Sequence, residues 1–419
     1  MQYLIKGIAK FVLCLTIVFM TLSIGLATKS PTNYVYAVEG EVTVDATTFP
    51  DAIFRQWVLD NITSGSTTLT ATMIANTTSI NVRFKQITDL KGIEYFTALQ
   101  SLECSTNRLT TLDVSKNTLL TNLGCSSNKL TDLDISKNTA LTMLSCTTNQ
   151  LTTLDVSKNT KLEILYCSIN PLTTLDVSNN TSLISLGCGI NKLTSLDISK
   201  NTKLLELACP GNQLTTLDLS NNTALENLFC YKNQLTTLDV SKNTALKKFE
   251  CNNNLLTTLD VTKNTALTSL DCSNNQLTAL DLSKQSATID AVLNDEIQQA
   301  PVYKARQVGN KYVVDLKQHD AKINTAKISN LVSNGTYDAS AATITYDSKP
   351  AATESIAYQY DTDSLNQNTE DMLVDGSVTV EVTPIPNTAD NILVWFYTLL
   401  FVVSLIGVSG MVVYTKRKN

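Results

Sequence analysis

Leu141-Thr142-Met143-Leu144-Ser145-Cys146-Thr147-Thr148-Asn149-Gln150-Leu151-Thr152-Thr153-Leu154-Asp155-Val156-Ser157-Lys158-Asn159-Thr160-Lys161 is one copy of a 21-residue pattern that recurs nine times, without a gap, from Leu99 to Ala287. The copies differ mainly at polar positions, and each carries one cysteine at the same place. A fixed period of this length marks a solenoid, because one coil cannot bury its apolar edge until another stacks on it. The segment L-x-C in each copy is short, alternating and apolar, as a strand with one buried face is. Stacking sets these strands side by side in a parallel sheet about 4.8 Å apart, so nine coils extend roughly 40 Å. Leucines such as Leu109 and Leu112, with Val114, recur in every coil and fill the column from the opposite wall.

Three ladders follow from the period. Asn107, Asn128, Asn149, Asn170, Asn191, Asn212, Asn233, Asn254 and Asn275 share one position. A buried asparagine there can bond the backbone groups that each turning coil leaves unpaired. Asp113, Asp134, Asp155, Asp176, Asp197, Asp218, Asp239, Asp260 and Asp281 form the second ladder, with a lysine three residues later in most coils. These read as turn caps that accept backbone N–H bonds. A calcium-binding acidic stripe is the alternative, although the Gly-rich, multi-carboxylate loops of calcium sites are absent from the sequence. The third ladder is Cys104, Cys125, Cys146, Cys167, Cys188, Cys209, Cys230, Cys251 and Cys272. In-register parallel neighbours point their Cβ atoms the same way, which fits poorly with the torsion near 90° of a disulfide. Free thiols packed as small apolar groups are therefore expected, without metal or catalysis.

With L-T-N-L-G-C-S-S-N-K-L-T-D-L-D-I-S-K-N-T over Leu120 to Thr139 as its type stretch, nearly half the chain resembles the leucine-rich repeat family. The resemblance is to the cysteine-ladder, 21-residue class of internalin-like surface proteins of Gram-positive bacteria. It implies an α/β-type leucine-rich repeat solenoid with parallel β on the concave face and a mostly non-helical convex side. Phe49 to Leu59 also looks familial: Ile53, Phe54, Trp57 and Val58 form a helical stripe, with Pro50 suited to the first turn. Such a helix can plug one end of the column. Ile80 to Phe96 reads as a divergent first coil, with Val82 at the cysteine position and Lys85 replacing the asparagine.

The ends carry membrane signals. Lys6 and Lys10 precede an apolar run from Phe11 to Leu26, and a leader can be cut after Ala37 or after Ala27. Ile392 to Tyr414 is apolar and uncharged, long enough for a transmembrane helix, and Lys416, Arg417 and Lys418 follow it. Ile385-Pro386-Asn387-Thr388-Ala389 just before it looks like a variant of the sortase sorting signal L-P-x-T-G. That resemblance implies a sortase-type transpeptidase and cell wall peptidoglycan as partners, with Thr388 joined to the wall. An uncleaved single-pass membrane anchor is the alternative. Past Ala287 the period fails. Alternating runs at 311–316, 343–346, 356–360 and 377–382, with the polar turn Ser333-Asn334-Gly335, suggest a small all-β module that caps or spaces the solenoid. The expected organisation is a signal peptide at 1–37, a helical N-terminal cap and divergent coil at 38–98, and the solenoid at 99–287. A β-rich module at 288–383 and a sorting region at 384–419 complete it.

The net charge of −6 argues against nucleic acid as a partner. No Walker loop, dinucleotide fingerprint or H-E-x-x-H motif occurs, and the sole histidine, His319, has only Asp320 beside it. No cofactor or catalytic set is expected. At the x of L-x-C the series runs Glu103, Gly124, Ser145, Tyr166, Gly187, Ala208, Phe229, Glu250, Asp271. Two aromatics thus flank two very small residues, with Tyr231 one strand step beyond Phe229. The expectation is a shallow apolar trough between Tyr166 and Phe229, bordered by Ile164 and by Glu206 and Glu250. A macromolecular ligand, protein or glycan, would bind there; a purely structural stalk would present a featureless face instead.

Overall fold

The computed structural model describes residues 41–285, 290–292, 305–308, 310–318, 323–348, 350, 354–360 and 372–378. The apolar runs near both termini, the Ile385–Ala389 motif, and His319 with Asp320 lie outside these residues. Among those described, no helix is long and apolar enough to cross a membrane.

Every copy of the repeat makes one three-residue strand. These are β4 (Ser101–Glu103), β5 (Asn122–Gly124), β6 (Met143–Ser145), β7 (Ile164–Tyr166), β8 (Ser185–Gly187), β9 (Glu206–Ala208), β10 (Asn227–Phe229), β11 (Lys248–Glu250) and β12 (Ser269–Asp271). Each pairs in parallel with the next at a 21-residue offset, Leu165 opposite Leu186 and Leu186 opposite Leu207. The strand ends one residue before the cysteine, yet the ladder runs on, since Cys146 N donates to Tyr166 O at 2.8 Å. β3 (Ser79–Asn81) extends the sheet at one edge, with Ile80 opposite Leu102. Val82 and Lys85 thereby occupy the cysteine and asparagine positions of a divergent coil. At the other edge β13 (Asp290–Val292) pairs with β12, again at the 21-residue offset. The sequence period fails after Ala287, but the backbone winds on for one more strand. Side-chain identity was lost there before coil geometry was.

Inside the column the nine ladder cysteines are free and buried, between leucines that are nearly all fully enclosed. The first asparagine ladder holds each coil to its neighbours. Asn170 Nδ2 donates to the carbonyls of Cys146 and Cys167, both at 3.1 Å, while its Oδ1 accepts from Leu151 N at 3.0 Å. A second asparagine ladder was not anticipated from the sequence: Asn117, Asn138, Asn159, Asn180, Asn201, Asn222, Asn243 and Asn264 are all fully buried. Asn201 Nδ2 donates to Val177 O at 3.0 Å and to Asn180 O at 2.9 Å. Each such residue bonds two carbonyls of the preceding coil and so ties coil to coil on the convex side, where the chain turns without regular structure. Gln285 continues the series by donating to Val261 O at 2.6 Å. The aspartates act as turn caps, as expected: Asp155 Oδ1 accepts from Ser157 N at 2.8 Å, and Asp197 Oδ1 from Ser199 N at 2.9 Å.

A helical cap covers the first coil. α1 (Ala52–Asn61) begins at Asp51, whose Oδ1 accepts from Ile53 N and Phe54 N, both at 2.9 Å. Pro50 therefore precedes the cap residue instead of sitting in the first turn, because the Asp51 side chain supplies the acceptor that fixes the start. Asp51 Oδ2 also accepts from Thr88 N at 2.8 Å, tying the helix to the divergent coil. Phe54 and Val58 face the core and Trp57 is half-buried, but Ile53 is exposed, so the buried stripe is narrower than its sequence pattern. The Phe49 ring packs edge-on against Phe54, centroids 5.7 Å apart. It fills the space beside Gly92, which has φ 103° and no side chain to obstruct the ring. α2 (Ala71–Asn76) and the two-stranded pair β1 (Val42–Thr43) and β2 (Thr68–Leu69) complete the cap.

Beyond the solenoid lie two antiparallel sheets. One contains β14 (Ala305–Val308), β15 (Lys311–Asp315), β17 (Thr336–Asp338) and β18 (Thr343–Tyr346). The other contains β16 (Ile328–Val332), β19 (Glu354–Tyr360) and β20 (Met372–Val378). The last strand starts earlier than the expected 377–382. Tyr358, fully buried, donates from its hydroxyl to Thr278 O at 3.2 Å, and Lys327 Nζ lies 3.9 Å from Asp281 Oδ1. The module thus covers the end of the ninth coil, which would otherwise expose apolar surface to water.

Candidate functional site

A strand of three residues buries its central leucine and turns the two flanking side chains outward. The concave face is built from these outward positions, repeated every coil. Across the middle coils they are Ile164 and Tyr166, Ser185 and Gly187, Glu206 and Ala208, then Asn227 and Phe229. Two residues further along each coil stand Ser168, Gly189, Pro210 and Tyr231.

Tyr166 does not stand up from this face. It is 7 % exposed and lies across the next coil, its hydroxyl 3.1 Å from Ser185 Oγ. A Cβ on Gly187 would stand only 2.8 Å from Tyr166 Cδ1, so the glycine is the seat of the ring. Glu103 occupies the space beside Gly124 in the same way, and a side chain on Gly189 would meet Pro210 Cδ at 2.6 Å. Small residues in the series are therefore seats for larger neighbours and leave less open trough than a one-coil reading gives. The clear floor lies at Ala208 and Pro210, both buried, with half-buried Phe229 and Tyr231 on the following coil. Ile164 is half-buried on the preceding side.

Glu206 and Glu250 are half-buried, as is their neighbour Tyr231. Burial pushes the Glu206 carboxyl above its ordinary range, with the Lys248 ammonium pulling it back down. Burial, then the Glu250 charge, raises the Tyr231 phenol. Three further apolar residues belong here that the L-x-C series misses. Ile184 (38 % exposed) and Leu205 (42 %) stand just before their strands, and Ile190 (43 %) stands beyond Gly189. Ile190 and its counterpart Ile169 have φ 53° and 56°, at a position that every coil holds left-handed, with Thr106, Ser127, Thr148, Gly211, Lys232, Asn253 and Asn274 in the others. The left-handed turn is thus imposed by the coil whatever residue stands there.

Other candidate chemistry is limited by burial and by prior bonding. Burial pushes the Cys146 and Cys209 thiols up to about 12 and the rest of the ladder in the same direction. A thiol so placed is neither nucleophile nor metal ligand at neutral pH. Among the described residues no three His, Cys, Asp or Glu side chains cluster to hold a metal. An open cleft of about 520 Å³ runs past Asp134, Asp155 and Asp176, but each of these carboxylates already caps a turn.

Stacked 21-residue coils, a concave parallel sheet and a dry file of cysteines define a leucine-rich-repeat solenoid of the cysteine-ladder kind. The fold is similar to the functional domain of InlJ from Listeria monocytogenes, which includes a cysteine ladder: 27% identity over 83% of this chain and 99% of that one, with TM-score 0.50. The internalin InlF of the same species matches at 22% identity over 61% of this chain and 99% of that one, with TM-score 0.34. A leucine-rich-repeat protein of Leptospira interrogans matches at 25% identity over 52% and 67%, with TM-score 0.44. No family model and no curated protein matches the sequence.

Proposed function

We propose that this chain is a cell-surface binding protein, adhesin-like and without enzymatic activity, that uses its concave face to hold a host or environmental macromolecule. The observation that carries this reading is the apolar interruption of an otherwise polar sheet. Ala208 and Pro210 lie beside Phe229 and Tyr231 of the next coil, with Ile164 two coils before them and Glu206 and Glu250 at the border. Aromatic groups set among small residues with charges at the edge are the usual composition of an interface centre. The likeness to the cysteine-ladder domain of InlJ supports the solenoid on which this reading rests. In this reading the leader directs export, sortase cleaves between Thr388 and Ala389, and Thr388 is joined to peptidoglycan, so the solenoid faces outward.

Binding of the chain to protein and glycan arrays, compared with the double variant F229A/Y231A, tests the role. Capture of a ligand by the native chain and its loss in the variant are expected. No ligand on either array would favour a structural stalk. Retention of Thr388–Ala389 in wall-extracted protein, read by mass spectrometry, would instead leave the chain a membrane-anchored protein.

A further inference from the structure

We propose that the middle of the concave face takes an extended segment of a protein partner with a basic side chain two residues from an apolar one. The cation meets Glu206, and the apolar group meets Ala208 and Phe229. This rests on the binding role proposed above and gives it a chemistry.

The shape of the strip comes first. Its floor is Ala208 and Pro210 in one coil, both buried and without side-chain donors. Tyr166, laid over Gly187, borders it on one side, and Phe229 with Tyr231 border it on the other. Coils are about 4.8 Å apart, so the floor between these aromatics suits one extended chain running along the strand direction. A helix, about 10–12 Å across with its side chains, is too wide for it.

The charge comes second. Among the described residues the Glu206 carboxylate makes no hydrogen bond or ion pair, whereas Glu226 is paired with Lys247 at 2.8 Å and Glu103 lies 3.9 Å from Arg83. Lys248, two strands along, is the charge that favours its ionised form. A half-buried carboxylate without a partner is costly, and a cation brought by a ligand relieves that cost. Glu206 and Ala208 are successive outward positions of one strand, about 6.6 Å apart, which is also the spacing of alternate residues in an extended ligand.

An exposed apolar neighbour comes third. Ile190 holds a left-handed φ of 53° and remains 43 % exposed, with its Cγ1 3.3 Å from where a Gly211 side chain would begin. The coil imposes this conformation on every residue at the position, Thr106 and Thr148 included, so what distinguishes Ile190 is a large apolar side chain left in solvent beside the strip. A glycan would find few side-chain donors on Ala208, Pro210 and Gly211.

The test is a phage-displayed random heptapeptide library panned on the immobilised full chain. Enriched peptides are then measured by fluorescence polarisation against the chain, E206Q, I190S and, as a control on the opposite wall, K137A. Enrichment of Lys or Arg two residues from Leu, Phe or Tyr is expected. E206Q should weaken binding about tenfold, roughly 1.4 kcal/mol. I190S should weaken it severalfold and K137A not at all, with all three melting as the native chain does. Enriched peptides without a basic residue, or full affinity on E206Q, would overturn the inference. Failure to enrich any peptide while the glycan array captures the chain would overturn it too, leaving the binding role intact. Silence of peptides and arrays alike would remove both.

Discussion

The ring of Tyr166 rests where a side chain on Gly187 would have to be, with Cδ1 2.8 Å from that Cβ position and the hydroxyl 3.1 Å from Ser185 Oγ. The pair belongs to adjacent coils, Tyr166 opposite Gly187 in the parallel register. What faces a ligand on one coil is thus set by what the next coil lacks.

Gly187→Val should lift the ring off its seat and break its contact with Ser185, destabilising the solenoid by about 1–3 kcal/mol. Urea unfolding measures the loss. Pairing the substitution with Tyr166→Ala should recover most of it, because the clash needs both side chains. Equal losses in the single and double variants would show that Tyr166 is not seated there.

Asn201→Leu removes donors to Val177 O and Asn180 O inside a fully buried wall. Val177 O and Asn180 O each keep one backbone N–H donor but lose the amide, at a cost of about 1–3 kcal/mol. Hydrogen exchange should quicken at Asn201 and its neighbouring coils first, since coils couple only to their neighbours. An unchanged urea midpoint would mean that this second asparagine ladder does not hold the convex wall.

The thiols make stability pH-dependent on the alkaline side. Their folded values lie far above the ordinary 9.0, Cys146 and Cys209 at about 12, because burial penalises the thiolate. Between the ordinary and the folded value the unfolded chain has released its protons and the native chain has not, so stability falls as pH rises through that window. One pH unit above the ordinary value each thiol costs about 1.4 kcal/mol, and nine together are comparable with the stability of a typical domain. Thermal melts under reducing conditions should collapse between about pH 9 and 11. Cys→Ala at two ladder positions should shift that collapse upward in pH, as two titrating groups are gone. A flat profile would contradict a dry interior.

Repetition explains what the sequence could disclose. The period places one cysteine, one turn-capping aspartate and one carbonyl-bonding asparagine in every coil, and the backbone follows it from Leu99 onward. The second asparagine ladder was equally periodic, but its K-N-T context reads as a polar turn, and only coil closure shows Asn201 to be fully enclosed. β13 was hidden for the opposite reason: coil geometry persists there after the repeat's side chains have gone. At the candidate site the sequence located the aromatics and acids but not their tilt. Whether Tyr166 projects or lies flat is decided by its neighbour Gly187, 21 residues away. Ile190 was missed because its left-handed position takes Thr, Ser, Gly, Lys and Asn in other coils and so has no sequence signature.

Tyr358→Phe removes the hydroxyl that donates to Thr278 O across the junction of the β module with the ninth coil. A loss of about 0.5–1.5 kcal/mol is expected. Faster hydrogen exchange at Leu277 to Leu282, with coils one to six unchanged, would place the effect at the cap. Uniform exchange along the solenoid would contradict a local capping role.

Bulky-maleimide alkylation of the native, reduced protein, followed by peptide mass spectrometry of the nine ladder cysteines, tests the stacked, dry file most directly. All nine should stay unmodified for hours in buffer and react within minutes in concentrated guanidinium chloride. Rapid labelling of interior positions such as Cys167, Cys188 and Cys209 in the undenatured chain would contradict the stacking on which the concave face depends.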